Sequence, residues 1–467
     1  MLNKIRSQAE QHPNRIAYKI NEAFITYGEL WKNAIFYAEL LKKQGTAPVI
    51  IYGHKEIEVI VSILACIIAN RTYIPIDLHT PFFRLKKIAD VTQASLLITN
   101  EALSLEAITC CKLTELKKFE RACTKTADHE FIYTIFTSGS TGEPKGVPIS
   151  KTNLNNFVNW ISALKPLCDY HEINVLNQAC FSFDLSVADL YYTLCNGHTL
   201  IALDRIDDYD SVFKTIRQNK IGLAVVTPTF MKLCLLNRDF NEHHYPDLQC
   251  IYFCGEQLEV KTAKQLFERF HHIKIINAYG PTEATSAVSA IVITKDMTNQ
   301  KILPVGETNA FATDIEIVDG EIILKGASVF NGYLGGQVGG HYKENNVNCY
   351  KTGDLGNIID SKLYCKGRKD SQVKFKGYRI ELTDIEYHLS LISGIHECAV
   401  VPKYTEDRIV KSLKAFIVAD KGIESSDVKK ELLQLLPSYM VPKSIQIIDR
   451  MPTNSNGKTD RKALMSL

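Results

Sequence analysis

Hydrophobic positions along the first 280 residues recur in two alternating rhythms. Tyr27–Lys43 and Glu56–Ala69 carry apolar residues at helical spacing, and Val49–Tyr52 and Leu96–Thr99 are short apolar, β-branched runs. The same alternation resumes with a strand at His198–Leu203, a helix at Tyr209–Asn219 and strands at Leu223–Val226 and Ile251–Cys254. A helix at Val260–Phe270 and a strand at Ile273–Ile276 follow. Strands separated by helices imply parallel sheets covered by helices, an α/β architecture. From about Phe311 the rhythm shortens to period two, with strands predicted at Asp314–Val318, Glu321–Lys325 and Leu363–Cys365. Beyond Asp370 a small α+β unit is expected. It has helices at Thr383–Leu391 and Ser426–Leu435 and strands near Ala399–Val401 and Lys414–Val418.

Composition narrows this picture little. The chain has 467 residues, 45% of them hydrophobic and 23% charged, which excludes wholesale disorder. Its 54 basic and 52 acidic residues leave a net charge of +2, so no electrostatic case arises for nucleic acid. The longest apolar stretch, Val59–Ala69, is too short to span a bilayer, and the N-terminus has no apolar signal region. Thirteen cysteines are scattered without a CxxC pair, which argues for reduced, buried thiols in a cytoplasmic protein, not for zinc or disulfides.

The first chemistry-bearing string is Thr137-Ser138-Gly139-Ser140-Thr141-Gly142-Glu143-Pro144-Lys145-Gly146, directly after the apolar strand Phe131–Phe136. Glycines let backbone N–H groups approach an anion, hydroxyls add donors, and Lys145 adds charge. The spacing is not that of a Walker A loop, because Gly follows the lysine. A plain Gly/Ser turn is the bland alternative.

Four more strings follow in order: Asn277-Ala278-Tyr279-Gly280-Pro281-Thr282-Glu283, Tyr350-Lys351-Thr352-Gly353-Asp354, Gly367-Arg368-Lys369-Asp370 running on to Gly377-Tyr378-Arg379, and Asn456-Gly457-Lys458-Thr459-Asp460-Arg461. With the first string they resemble the five signatures of the adenylate-forming superfamily, to which acyl-CoA synthetases, peptide-synthetase adenylation domains and luciferases belong. The resemblance covers essentially the whole chain. It implies a large N-terminal domain over 1–369, made of two α/β sheet subdomains and a small β-barrel-like subdomain. A small mobile α+β lid over 370–467 completes the expected fold.

The resemblance also implies roles. Thr137, Ser138, Gly139, Ser140, Thr141, Gly142 and Lys145 would grip the phosphates of ATP. Asn277, Ala278, Tyr279 and Gly280 would line the adenine, Asp354 would accept the ribose hydroxyls, and Arg368 would complete the nucleotide site. Glu283 would hold Mg2+, Thr282 would donate to the phosphate or to the substrate carboxylate, and Lys458 would bridge the two reacting anions. Asp370 would be the hinge of the lid, and Gly377 would line the tunnel for a thiol.

Phe183-Asp184-Leu185-Ser186 precedes a helical stretch. An N-capping aspartate would explain it. In amino-acid-activating relatives an aspartate here pairs with the substrate ammonium. Together with Cys254 in Phe253-Cys254-Gly255-Glu256, the chain resembles the branch that charges a carrier protein with D-alanine for teichoic acid. In that branch a cysteine crowds the pocket. Ala188, Ser286, Ala278 and Tyr252 depart from its usual residues, so another small amino acid, handled by a free-standing peptide-synthetase-type enzyme, remains an alternative. The implied partners are ATP, a small amino acid and a separate phosphopantetheinylated carrier protein, with no nucleic acid and no membrane insertion. A monomer is expected.

Overall fold

The computed structural model describes residues 1–119, 130–139, 142–204, 208–308, 313–337, 339–370, 372–405, 409–453 and 459–467. They divide into two compact units. The first comprises Met1–Asp77, Thr92–Ile135 and Gly146–Gly367. The second comprises Leu78–Val91, Phe136–Lys145 and Arg368–Leu467.

Three sheets organise the first unit. An eight-stranded sheet runs in the order Ser289–Ile293, Lys274–Tyr279, Cys250–Phe253, Ile221–Val226, Asn174–Asn177, Thr199–Ala202, Ile16–Ile20, Ala23–Thr26. Its six inner strands pair in parallel, and an antiparallel strand closes each edge. A six-stranded sheet runs Thr109–Cys111, Leu96–Ile98, Val49–Tyr52, Tyr73–Ile76, Phe131–Thr137, Lys145–Ser150. Its last two strands lead into and out of the glycine-rich loop. The third sheet is antiparallel. Its long strand Val347–Ile359 pairs with both Glu321–Gly326 and His341–Glu344.

The helix Ile57–Ile68 is apolar but for Glu58 in its first turn and Ser62, and nine consecutive residues, Val59–Ile67, are buried. A helix with no polar face must be covered on every side. It contacts the strands Ile16–Ile20 and Ala23–Thr26 of one sheet and Val49–Tyr52 and Tyr73–Ile76 of the other. The helix that precedes it and packs on it, Tyr27–Lys43, starts with a reciprocal capping box between Thr26 and Glu29.

The second unit has an antiparallel pair, Gln372–Phe375 with Tyr378–Glu381, and a three-stranded sheet, Ile395–Tyr404, Val410–Ala419 and Ser444–Ile447. Helices Leu382–Ser390 and Ser425–Leu435 bury Ile385, Leu389, Val428 and Leu432 in its core.

Most predicted elements lie within a residue or two of those observed, but the strands predicted at Ile273–Ile276, Leu363–Cys365, Ala399–Val401 and Lys414–Val418 run on over Lys274–Tyr279, Lys362–Arg368, Ile395–Tyr404 and Val410–Ala419. The N-terminal helix Leu2–Gln11 and the edge hairpin Ile16–Thr26 were not anticipated, being short and mixed in polarity. All twelve described cysteines are free, and among the described residues no helix is long and apolar enough to cross a membrane.

Candidate active site

In an open parallel sheet, ligand-binding residues gather beyond the carboxyl ends of the strands. The predicted residues of the first unit do so. Asp184 follows the strand Asn174–Asn177, Cys254 ends Cys250–Phe253, and Asn277–Tyr279 end Lys274–Tyr279.

Asp184 stands at the start of the helix Leu185–Asn196, yet its side chain makes no capping bond. Its carboxylate is buried and accepts a 2.6 Å hydrogen bond from Thr282 Oγ1. The capping explanation for this aspartate is therefore wrong. Burial and then nearby charges, Asp184 among them, push the phenols of Tyr133 and Tyr252 well above their ordinary range. Along Cys250–Phe253 successive side chains alternate. Tyr252 and Cys254 join the core that holds Ala188 and Ala278, while Ile251 and Phe253 face the other core. The Cys254 thiol donates to the Ser286 carbonyl at 3.8 Å. Phe183 packs, half-buried, against the same core.

The turn after Tyr279 is tight. A β-carbon on Gly280 would lie 2.5 Å from Ala287 Cα, so only glycine fits. Thr285 and Ser286 both hold left-handed backbone, at φ 64° and 69°, an arrangement that costs energy and clusters at functional loops. The Thr285 hydroxyl anchors the turn on the Ser328 carbonyl at 2.9 Å. The Ser286 hydroxyl is buried and has no partner among the described residues.

Asn277 donates from Nδ2 to the Pro304 carbonyl at 2.7 Å, and its Oδ1 is buried with no partner among the described residues. Tyr279 donates from its hydroxyl to Asp354 Oδ2 at 2.7 Å. Burial, and then the Asp354 charge, hold that phenol protonated far above its usual range. Asp354 follows a glycine in its string but is not in a turn. It lies inside the strand Val347–Ile359, where Gly353 takes φ 75° and donates its N–H to Glu321 Oε1 at 2.8 Å. The kink turns the Asp354 carboxylate to Tyr279.

Thr282 and Glu283 belong to a three-residue 3-10 turn, too short for a helix dipole to explain a carboxylate there. Glu283 is 1% exposed, and its Oε1 accepts from the Tyr333 hydroxyl at 2.6 Å. Tyr333 was missed in the sequence. It lies 50 residues away in a loop of no distinctive pattern.

The remaining predicted residues fall in the second unit. Ser138 Oγ donates to the Arg379 carbonyl and accepts from the Glu381 N–H, both at 2.9 Å. Gly142 closes the loop with an N–H to the Gly139 carbonyl at 3.2 Å, at φ 77°. Thr137 ends the strand before the loop, and Lys145 opens the strand after it. Arg368 grips Asp370 with two bonds of 2.8 and 2.7 Å. Burial works to raise the Asp370 carboxyl, but Arg368, with the Gln372 N–H and Arg379, outweighs it and the carboxyl ends below its ordinary range. Gly377, with Lys376 at φ 53° and itself at φ 86°, forms the two-residue hairpin turn joining Gln372–Phe375 to Tyr378–Glu381. Ser140, Thr141 and Lys458 lie outside the described residues.

Known proteins resemble the chain along its whole length. Residues 5–334 match the model of the AMP-binding enzyme family and residues 384–458 that of the AMP-binding enzyme C-terminal domain. The chain is 36% identical to a D-alanine--D-alanyl carrier protein ligase of Bacillus licheniformis, across 99% of this chain and 98% of that protein. It is 37% identical to a protein of the same name from Listeria monocytogenes, across 100% and 98%. Its fold matches a Vibrio cholerae adenylation domain solved with glycyl-adenosine-5'-phosphate, with a TM-score of 0.84 at 23% identity, covering 100% of this chain and 97% of that one. An o-succinylbenzoate CoA synthetase from Bacillus subtilis gives the same TM-score at 20% identity, covering 100% and 98%. The chain is an enzyme of the AMP-binding family, with the mixed α/β fold of the adenylation domains and a small C-terminal domain.

Proposed function

We propose that this enzyme activates a small amino acid with ATP and passes it to the phosphopantetheine thiol of a separate carrier protein. D-Alanine, the amino acid in the relatives' names, is the favoured substrate. In the first half-reaction a substrate carboxylate oxygen bonds to the α-phosphorus, and the bond from that phosphorus to the bridging oxygen breaks, releasing pyrophosphate. In the second, the carrier thiol gives up its proton and its sulfur bonds to the acyl carbon, which releases AMP.

The observation that carries the reading is Asp184. It is a buried carboxylate at a helix start that caps nothing and meets Thr282 of the nucleotide signature. A carboxylate so placed suits an ammonium, and Cys254 with Ala188 and Ala278 suits a small side chain beside it. Asp354 accepts the ribose hydroxyls, and Tyr279, held by it, presents its ring to the adenine. Glu283 suits a hard cation such as Mg2+, being a buried oxygen donor with one oxygen braced by Tyr333, and the ion would supply charge neutralisation of the phosphates. Lys145 and Lys458 meet the remaining anionic charge. Catalysis is then positioning plus electrostatic stabilisation. The lid, 370–467, turns about Asp370 between the two half-reactions, and Gly377 gives the thiol access. The protein acts in the cytoplasm, as a monomer, in a route to D-alanylated teichoic acid.

The test is amino-acid-dependent exchange of pyrophosphate into ATP over D-alanine, L-alanine, glycine, serine and longer side chains, followed by loading of a phosphopantetheinylated carrier. Activity led by D-alanine is expected. A lead by another small amino acid supports the peptide-synthetase-type alternative, which the Ser286 hydroxyl, partnerless among the described residues, favours. Activity confined to carboxylates without an amino group defeats both.

A further inference from the structure

Lys55 is a buried cation that the reaction above does not use. It is 1% exposed and follows the strand Val49–Tyr52 of the six-stranded sheet. Its ammonium crosses to the eight-stranded sheet. There it donates to the carbonyls of Asn177 at 3.1 Å, Gln178 at 3.0 Å and Leu203 at 2.9 Å. Three hydrogens thus meet three acceptors at the carboxyl ends of the neighbouring strands Asn174–Asn177 and Thr199–Ala202. The lysine backbone is fixed as well, since its own carbonyl accepts from the Tyr18 hydroxyl at 2.6 Å.

Two of those three carbonyls begin the segment that ends at Asp184. The Asn177 side chain continues the tie. Its Nδ2 donates to the Ala179 carbonyl at 3.1 Å and to Asp189 Oδ2 at 2.9 Å. Asp189 is fully buried on the helix that starts directly after Asp184. The segment 178–184 therefore leaves one polar node and returns to it, with Lys55 at the centre. Within it the Phe183 N–H donates to the Cys180 carbonyl at 3.0 Å, and the Ser186 hydroxyl donates back to the Phe183 carbonyl at 2.7 Å.

We propose that Lys55 is a positioning residue for amino-acid recognition: by binding the carbonyls of Asn177 and Gln178 it fixes the segment that aims the Asp184 carboxylate at the substrate ammonium. This rests on the reading of Asp184 given above. A misplacement of about 1 Å in a charged contact is enough to cost affinity steeply. Thr282 links Asp184 to the nucleotide signature, but Tyr279, Glu283 and Asp354 stand on other strands and turns, so the effect falls mainly on the amino acid.

The groups facing the Lys55 ammonium are Cys180, Asp189 on the helix, Asp77 after the strand Tyr73–Ile76 and Asp204 after Thr199–Ala202, with His54 and Glu56 beside it in sequence. Burial lowers its pKa to about 8 against the pull of Cys180 and the three aspartates. Above that pH the neutral amine has two hydrogens for three carbonyls.

The experiment measures pyrophosphate exchange by the full-length wild type and by Lys55→Met and Lys55→Arg, from pH 7 to 9, with thermal melting as the folding control. The wild-type amino-acid KM is expected to rise as pH passes about 8. At pH 7 Lys55→Met raises that KM at least tenfold, leaves the ATP KM within twofold and shows no step near pH 8. Lys55→Arg keeps most of the affinity and also lacks the step. A folded Lys55→Met with wild-type amino-acid KM, or one in which both KM values rise together, overturns the proposal. Should Lys55→Met not fold, a wild-type amino-acid KM that stays flat across the range overturns it. A wild type that activates no amino acid removes the Asp184 reading itself. One that does, with Lys55→Met unaffected, removes only the role of Lys55.

Discussion

The two units hold their signature residues in different ways. In the first, polar side chains bind one another behind buried walls: Thr282 with Asp184, Tyr279 with Asp354, Tyr333 with Glu283. In the second, the contacts run mostly to main chain or are open to water: Ser138 to the backbone of Arg379 and Glu381, Arg368 to a half-exposed Asp370. Side-chain pairs in a low-dielectric interior are strong and fixed in geometry. Backbone contacts and exposed ion pairs exchange with little net cost. The proposed function asks for the first kind of bonding at a recognition surface and for the second in parts that would rearrange between its two half-reactions.

The sharpest challenge to this contrast is Lys458→Ala. A roughly thousandfold or greater loss of pyrophosphate exchange is expected, the scale of one lost charge-stabilising donor, with ATP still bound in calorimetry. Near-normal exchange would remove Lys458 from catalysis. Asp184→Ala should follow, lowering kcat/KM for the amino acid by about a hundredfold or more, as the loss of a buried charged partner does. Unchanged turnover would mean that the substrate carries no ammonium there. Tyr279→Phe deletes one charge-assisted hydrogen bond to Asp354, and an ATP KM raised about tenfold is expected, with the amino-acid KM unaffected.

Acid separates the units by stability. His198, in the first unit, is buried, and burial, then Arg15 and His171, lower its pKa to about 4 from 6.5. The unfolded chain takes up a proton near pH 6.5 that the folded chain refuses until about pH 4. The contribution is whole above pH 6.5 and falls away between 6.5 and 4. Melting of the wild type should decline through this window, and His198→Gln should flatten the decline. An identical slope in both would dismiss His198 as its source. The smallest effect is expected from Arg368→Ala, below about 1 kcal/mol in unfolding free energy, since its partner is half in water. The ratio of thioester formation to pyrophosphate exchange should still change, and an unchanged ratio would separate this ion pair from lid motion.

What the sequence showed and what it hid divide along physical lines. The strands and helices of the first sheets were legible because burial leaves its mark directly in sequence, as an unbroken apolar run in the doubly covered strand Val49–Tyr52 and as a 3.6-residue period in the helix Val260–Arg269. The signature residues were legible because they lie in short strings. Tyr333 and Lys55 were not, because each acts through a contact 50 or more residues away in sequence, and no local rhythm records such a contact. Cys254 stood out by its place in a short string, but its bond to the Ser286 carbonyl did not, because that depends on the left-handed turn at Thr285 and Ser286, a conformation their side chains do not favour. Gly377 was expected for the room it leaves a thiol, and the hairpin turn gives it a second, independent reason to be glycine.

The glycine-rich loop carries a similar doubling. A β-carbon at position 139 would lie 2.0 Å from the Glu143 carbonyl oxygen, and one at position 142 would lie 2.0 Å from the Tyr387 ring. Both positions are thus closed to every other amino acid by the protein's own packing, with no nucleotide involved. A descendant that had lost its use for ATP would keep these glycines, and would keep Ser138 too, whose hydroxyl binds the Arg379 carbonyl and the Glu381 N–H. Survival of these three residues in a relative reports the fold, and it takes residues outside this packing to report a living enzyme.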